Sequence, residues 1–418
     1  MTTTPSTFKR LFVGNDARFA GIVPDTDLAN FSGASGRVMR VQDGTSTSAK
    51  AEVRGTFAAT GLNLSGATPL RKWRSAVAKV LAGEARAKLL FVGDSTTVGA
   101  GAGTGGSGNM NSAISRSIAA RVASNLNRTV PTMWDSIWGS QNITSLVTYP
   151  AYDPRVSLGT GWSMAGGGTL GSHFFQFTNG SAGTLAFTPT ASCDRATVYY
   201  YRSAGGSYAI NVDGGATIST VSTGGAAGFV ADTVSFAAGT HTINLVASNN
   251  GNMFISGVIP WLSTTVSVDV ILGGWYGALA GTINGAGSFG PLTALRAIAP
   301  DCTVINLTIN DSNASTDMAT YRGHMASIIA AAQESGDVIL MVGPPSNTAA
   351  ATNGTLDQYV ATIFDLADYY GCGVVDLKER WGSYAESSPT LPYFDNLHPN
   401  SRAYADAARA LTNALAYS

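Results

Sequence analysis

The chain has 418 residues, too many for one ordinary core, so two or three domains are expected. A net charge of −1 with only 12% charged residues gives no reason to expect a nucleic-acid or membrane-surface partner. No stretch is long and apolar enough to span a bilayer, and Met1–Phe8 lacks the apolar core of a cleaved signal peptide.

Residues 1–68 hold short strand-like pieces, Arg10–Val13 and Gly36–Gln42, between links rich in Gly, Ser and Thr. They read as a small β-rich or extended segment. A helical pattern follows over Leu70–Ala82, and then an apolar run, Lys88–Gly93, that suits a buried strand. Four similar runs come later: Val268–Leu272, Thr303–Leu307, Asp337–Val342 and Gly373–Leu377. Helical stretches lie between or after them, over Asn111–Asn127, Pro291–Ile298, Asp317–Glu334, Leu356–Tyr370 and Pro399–Ala416. Short apolar strands alternating with helices predict a doubly wound α/β fold of the flavodoxin-like kind, with five parallel strands covered on both faces.

Residues 151–265 break this alternation. They carry β-type runs, Ser172–Phe177, Ala196–Arg202, Tyr208–Asp213, Asp232–Phe236 and His241–Val246, with turn signals between them. This predicts an all-β sandwich inserted between two halves of the α/β domain, residues 69–150 and 266–418. Three cysteines, Cys193, Cys302 and Cys372, are widely separated and form no CxxC, so neither a zinc site nor a disulfide scaffold is implied.

The first strand runs into Gly93-Asp94-Ser95, which puts the serine at the carboxyl edge of the sheet, where open α/β folds bind ligands. Alone this is a weak signal, because such a tripeptide also serves as a capped turn. Asp395-Asn396-Leu397-His398 precedes the last helix, and its spacing lets the carboxylate reach back to the imidazole. The bland alternative is a helix cap beside a surface histidine. His173 and His241 fall in the β insertion and His324 within a helix, which leaves His398 as the candidate base. Asn310, in Ile309-Asn310-Asp311 after the third strand, could aim an amide N–H at a developing oxyanion, although Asn-Asp is more often a turn. Gly277, in Gly273–Gly277 after the second strand, could bring a backbone N–H close to a ligand. A strand order of 2-1-3-4-5 would place Gly277, Ser95 and Asn310 at one edge, beside the switch point.

These four blocks together resemble the SGNH (GDSL-type) hydrolases, over residues 86–138 and 266–416. The resemblance implies that Ser95 attacks an ester, that His398 acts as general base and then general acid, and that Asp395 orients His398. It also implies an oxyanion hole from the Ser95 N–H, the Gly277 N–H and the Asn310 side chain, with no cofactor and no metal. The second block lacks the family's usual neighbours, so Gly274 stands as an alternative to Gly277. The layout as a whole loosely resembles esterases of bacteriophage tails and prophages. That would imply attachment to other virion proteins through residues 1–68, a location on the virion or outside the cell, and removal of O-acetyl groups from an acylated bacterial polysaccharide. A free bacterial esterase or lipase is the alternative enzyme.

Gly101–Gly106 matches the GxGxxG pattern of dinucleotide sites, but it begins well after the strand and lacks the acidic residue a second strand should supply. It reads instead as a mobile loop beside Ser95. A second class of function is non-catalytic sugar binding by Trp162, Tyr199, Tyr200, Tyr201 and Tyr208 of the insertion. Side chains alternate along a strand, so three adjacent tyrosines cannot all face inward, and at least one is expected to be exposed. Tyr200 and Tyr201 are the first candidates for contact with a glycan.

Overall fold

Five apolar runs make the central sheet of the computed structural model. The model describes residues 70–416 apart from 106, 144–147, 179, 181, 204, 249–250, 286, 288 and 353, together with four short strands nearer the N-terminus. Those four, Lys9–Phe12, Phe19–Val23, Met39–Arg40 and Glu52–Val53, form two antiparallel pairs. The attachment role expected of residues 1–68 otherwise falls outside the described residues.

The sheet strands are β1 (Ala87–Gly93), β2 (Val268–Gly274), β3 (Cys302–Asn306), β4 (Asp337–Val342) and β5 (Gly373–Asp376). They are parallel and run in the order β2-β1-β3-β4-β5, and a two-residue strand, Thr132–Met133, extends the β2 edge. Nearly every residue of these strands is buried, as a sheet covered on both faces requires.

Six helices supply the cover: α1 (Arg71–Leu81), α2 (Ile118–Leu126), α3 (Pro291–Ile298), α4 (Met318–Gln333), α5 (Thr355–Tyr370) and α6 (Ser401–Ala416). Leu89, Phe91, Val270 and Leu272 point into one core with α1, α2 and α6. Leu90, Val92, Ile271 and Ile305 point the other way, into a core with α3, α4 and α5. This alternation is the period-two pattern of a strand used on both faces. The last helix starts two residues later than its proline suggests. Asn400 caps it, accepting from the Arg402 and Ala403 N–H groups, while Pro399 forms a β-bridge with Tyr393.

The insertion consists of two antiparallel sheets. One orders its strands Gly228–Gly239, Cys193–Arg202, Met253–Trp261, Ser172–Phe177 and Trp162–Thr169, and the other Ser219–Ser222, Ser207–Val212, Ile243–Ala247, Gly183–Phe187 and Val156–Leu158. Phe175, Phe177, Val198, Tyr200 and Ile255 of the first meet Leu185, Phe187, Tyr208, Ile210 and Leu245 of the second in one core. Residues 137–138, upstream of the expected boundary, pair with Met253–Trp261 and join the first sheet.

The expected exposure of the tyrosine triplet is not found. Tyr199, Tyr200 and Tyr201 are 5%, 3% and 1% exposed. They do alternate, with Tyr200 facing the sandwich core against Tyr208 and donating its hydroxyl to Asp232 at 2.7 Å. The outer face of that strand is itself covered. Tyr199 packs edge-on against Trp138, and Tyr201 lies against Phe289, Phe174 and Phe229. Trp162 and Tyr208 are buried as well. None of the five aromatics offers a face to a sugar.

Candidate active site

Strand register decides where the site forms. Gly274 pairs with Gly93 and Gly93 with Asn306, so the carboxyl ends of β2, β1 and β3 lie level. The chain leaves each of them into a candidate block: Trp275–Gly277, Asp94–Ser95 and Leu307–Asn310.

Gly93 must be glycine. A Cβ there would lie 2.1 Å from the Thr97 hydroxyl and 2.7 Å from the Asn306 carbonyl. Asp94 caps the one-turn helix Ser95–Val98, accepting from the Thr96 N–H at 2.8 Å and the Thr96 hydroxyl at 2.7 Å. Burial pushes the Asp94 carboxyl up to about 6, against the pull of its hydrogen bonds to Thr96. Asn306, at the end of β3, donates to the Thr96 and Thr97 hydroxyls and braces the same turn. The sequence gives no cue to this role, because Asn306 sits inside an apolar run.

Ser95 begins the helix, so its N–H has no partner within it, and it finds no acceptor among the described residues. Its hydroxyl lies 2.9 Å from His398 Nε2. On the far side of the ring, His398 Nδ1 is 2.8 Å from Asp395 Oδ2. The other Asp395 oxygen accepts the backbone N–H groups of His398 and Leu397 at 2.6 and 2.8 Å. Partial burial pushes the Asp395 carboxyl up, but the bonds from His398 and Leu397 outweigh it and hold the group at about 2. Donation of Nδ1–H to this carboxylate leaves the Nε2 lone pair facing the Ser95 hydroxyl, an arrangement able to accept the serine proton. The Tyr276 ring stacks beside the imidazole, with centroids 5.8 Å apart and planes at 25°.

Gly277 and Gly274 are placed differently. Gly274 is the last residue of β2, packed against Val98 and Gln141. Gly277 has φ +80°, faces open space, and its N–H has no acceptor among the described residues. Asn310 lies in the first turn of a short helix, Ile309–Asn313, and donates one amide hydrogen to the Ala278 carbonyl at 3.0 Å, which leaves a second for another acceptor. The glycine-rich run is beside the site as expected, and its first residues are packed while Thr104 and Gly105 are exposed. Ala100 and Ala102 are buried, Tyr404 donates to the Ala100 carbonyl at 2.8 Å, and a Cβ on Gly101 would lie 3.3 Å from the His398 Cβ.

The other histidines have different partners. His173 Nδ1 is 2.7 Å from the Ser172 hydroxyl, His241 Nδ1 is 2.7 Å from Asp213, and His324 Nδ1 is 2.8 Å from the Asn284 amide. The cysteines are free and buried.

The parallel sheet, its helices and the inserted sandwich define an SGNH-hydrolase fold with an inserted β domain. The structure of a peptidoglycan O-acetylesterase superposes on it with a TM-score of 0.62, at 15% identity, over 82% of this chain and 95% of its own. A family two carbohydrate esterase from Cellvibrio japonicus aligns with a TM-score of 0.28, at 12% identity, over 68% of this chain and 98% of its own. In sequence, residues 257–405 match the GDSL-like lipase/acylhydrolase family, a span that contains Gly277, Asn310, Asp395 and His398 and begins after Ser95. No curated protein matches the sequence.

Proposed function

We propose that the protein is a serine ester hydrolase that removes O-acetyl groups from a polysaccharide. The observation that carries this reading is the chain of contacts from Ser95 Oγ to His398 Nε2, 2.9 Å, and from His398 Nδ1 to Asp395, 2.8 Å. In the proposed reaction Ser95 Oγ attacks the acetyl carbonyl carbon as its proton passes to His398 Nε2. The Ser95 N–H, the Gly277 N–H and the free Asn310 amide hydrogen receive the oxyanion. His398 then protonates the departing sugar oxygen as the acyl-enzyme forms. Water, deprotonated by His398, attacks the acyl-enzyme, and Ser95 leaves with the proton as acetate departs. Asp395 stays ionised through the cycle and holds the ring in the required tautomer, which its low pKa supports.

Two things support a glycan ester as the substrate. The site lies at the carboxyl edge of the sheet, where β2, β1 and β3 end level, and Phe394, next to Asp395, is half-exposed. A fold neighbour that covers 82% of this chain is a peptidoglycan O-acetylesterase. A place on a phage tail, with residues 1–68 as the attachment segment, is part of the proposal and rests on the layout of the sequence. The burial of Tyr199, Tyr200 and Tyr201 removes the basis for a non-catalytic sugar-binding role. Incubation of the purified protein with O-acetylated glycans, peptidoglycan among them, should release acetate. Release from small acetyl esters but from no glycan would limit the activity to small substrates.

A further inference from the structure

The donor proposed at Gly277 belongs to a tight turn. Ala278 N–H donates to the Trp275 carbonyl at 2.9 Å, and Gly277, the third residue of the turn, has φ +80°. A positive φ at this position marks a type II turn, which differs from type I by a flip of the central peptide. Here that peptide joins the Tyr276 carbonyl to the Gly277 N–H. No peptide bond among the described residues is cis, so the two groups point in opposite directions. Whatever holds the Tyr276 oxygen therefore sets where the Gly277 N–H points.

Asn142 holds it. The Asn142 side-chain amide donates to the Tyr276 carbonyl at 3.1 Å. The preceding residue grips the other side of Tyr276, since the Gln141 carbonyl accepts the Tyr276 N–H at 3.0 Å. Gln141 and Asn142 are consecutive non-glycine residues in the left-handed region, with φ of +57° and +62°. Such a pair persists only where the surroundings impose it. Here they do. The buried Gln141 side chain donates to the Trp138 carbonyl at 2.6 Å and to the Leu272 carbonyl of β2 at 2.8 Å. Its backbone N–H donates to Gly171 at 2.7 Å, and the Ser140 N–H donates to His173 at 3.0 Å, both in the inserted sandwich.

We infer that Asn142 is a positioning residue for the oxyanion site: it fixes the Tyr276–Gly277 peptide in the flip state that aims the Gly277 N–H at the developing negative charge. The inserted sandwich takes part through the same bracket, because Gly171 and His173 hold the backbone that carries Asn142. The inference rests on the esterase reading proposed above.

The test uses Asn142→Gly and Asn142→Asp in the full chain, with Ser95→Ala beside them and a small activated acetyl ester as substrate. Glycine accepts φ +62° without strain and removes the amide. Aspartate keeps the shape and the tolerance of this backbone but presents an acceptor to a carbonyl, so it guards against a folding defect in the glycine variant. Both variants should melt close to the wild type. Each should lose about 10–100-fold in kcat with KM nearly unchanged, as partial loss of an oxyanion donor does. Affinity for a trifluoromethyl ketone, which forms a tetrahedral oxyanion on the serine, should fall in parallel, an effect that a general packing defect would not reproduce. A folded variant with unchanged kcat and unchanged inhibitor affinity, or one in which only KM rises, overturns the inference. If Ser95→Ala stays active, the esterase reading itself has failed. If Ser95→Ala is inactive while both Asn142 variants work normally, the positioning role alone has failed.

Discussion

The Asp311 carboxylate accepts the backbone N–H of Ala280 at 2.8 Å, so the loop that carries Gly277 is tied to the short helix that carries Asn310. Asn310 repeats the tie, donating to Ala278 at 3.0 Å. The two outer donors of the proposed oxyanion site are thus fixed to each other. Asp311→Ala removes the stronger of these ties. It should lower kcat by about tenfold or more, because small displacements of a catalytic group are costly, while KM changes little. Asp311→Asn keeps an oxygen that can accept from Ala280 and should retain most activity. Steady-state kinetics on one small ester distinguish the cases, and equal activity in Asp311→Ala and wild type would show that the tie is dispensable.

Asn310→Ala should lower kcat by roughly 10²–10³-fold, the usual effect of deleting one oxyanion donor. Gly277→Ala should act in the same direction for another reason. A Cβ at Gly277 meets nothing within 4 Å, so the loss would come from the cost of φ +80° and the resulting flip of the peptide. If either change raised KM alone, that residue would be a substrate-binding group instead.

Asp94 makes a prediction about pH and stability. Burial raises its carboxyl from 3.8 to about 6. Between those two values the folded state therefore binds more protons than the unfolded state, and stability falls as pH rises through that window. Above pH 6 the ionised buried group costs roughly 2–3 kcal/mol. Asn at this position can still accept from Thr96. Asp94→Asn should therefore melt higher than wild type above pH 6, and the gain should vanish below about pH 4. A gain independent of pH would mean that the charge on Asp94 is not its source.

The tyrosines of the insertion should behave as core residues. Tyr200→Ala and Tyr201→Ala should each destabilise the protein by about 3–5 kcal/mol, as loss of a buried aromatic does. Activity of the folded fraction should fall equally on polymer and on small ester, or not at all. A loss confined to the polymer would restore the glycan-contact role expected from the sequence.

The α/β half of the molecule was legible in the sequence because its strands are buried on both faces and read as unbroken apolar runs. Asp337–Val342 and Pro291–Ile298 are found with the bounds their patterns suggest. The contacts of Ser95, Asp395 and His398 were legible for a related reason, since each residue lies in a short local motif at a strand or helix end. The insertion was less so. Trp162–Thr169 carries three glycines and Met253–Trp261 contains a glycine and a proline, so neither shows strand alternation. Alternation also says which side of a strand a tyrosine takes, but not what covers that side, so the pattern predicts at least one exposed residue among Tyr199, Tyr200 and Tyr201 where the structure has none. Asn142 and Gln141 could not be found at all. They lie more than 130 residues before the turn they brace, and the tolerance of Asn for left-handed backbone does not say which turn it meets.

The proposed function stands or falls on Ser95. Hydrolysis of an activated acetyl ester by Ser95→Ala, measured beside wild type with both proteins shown to be folded, tests it most directly. A loss of several orders of magnitude in kcat is expected, since the hydroxyl 2.9 Å from His398 Nε2 is the group proposed to attack the ester. Activity near the wild-type level would contradict it.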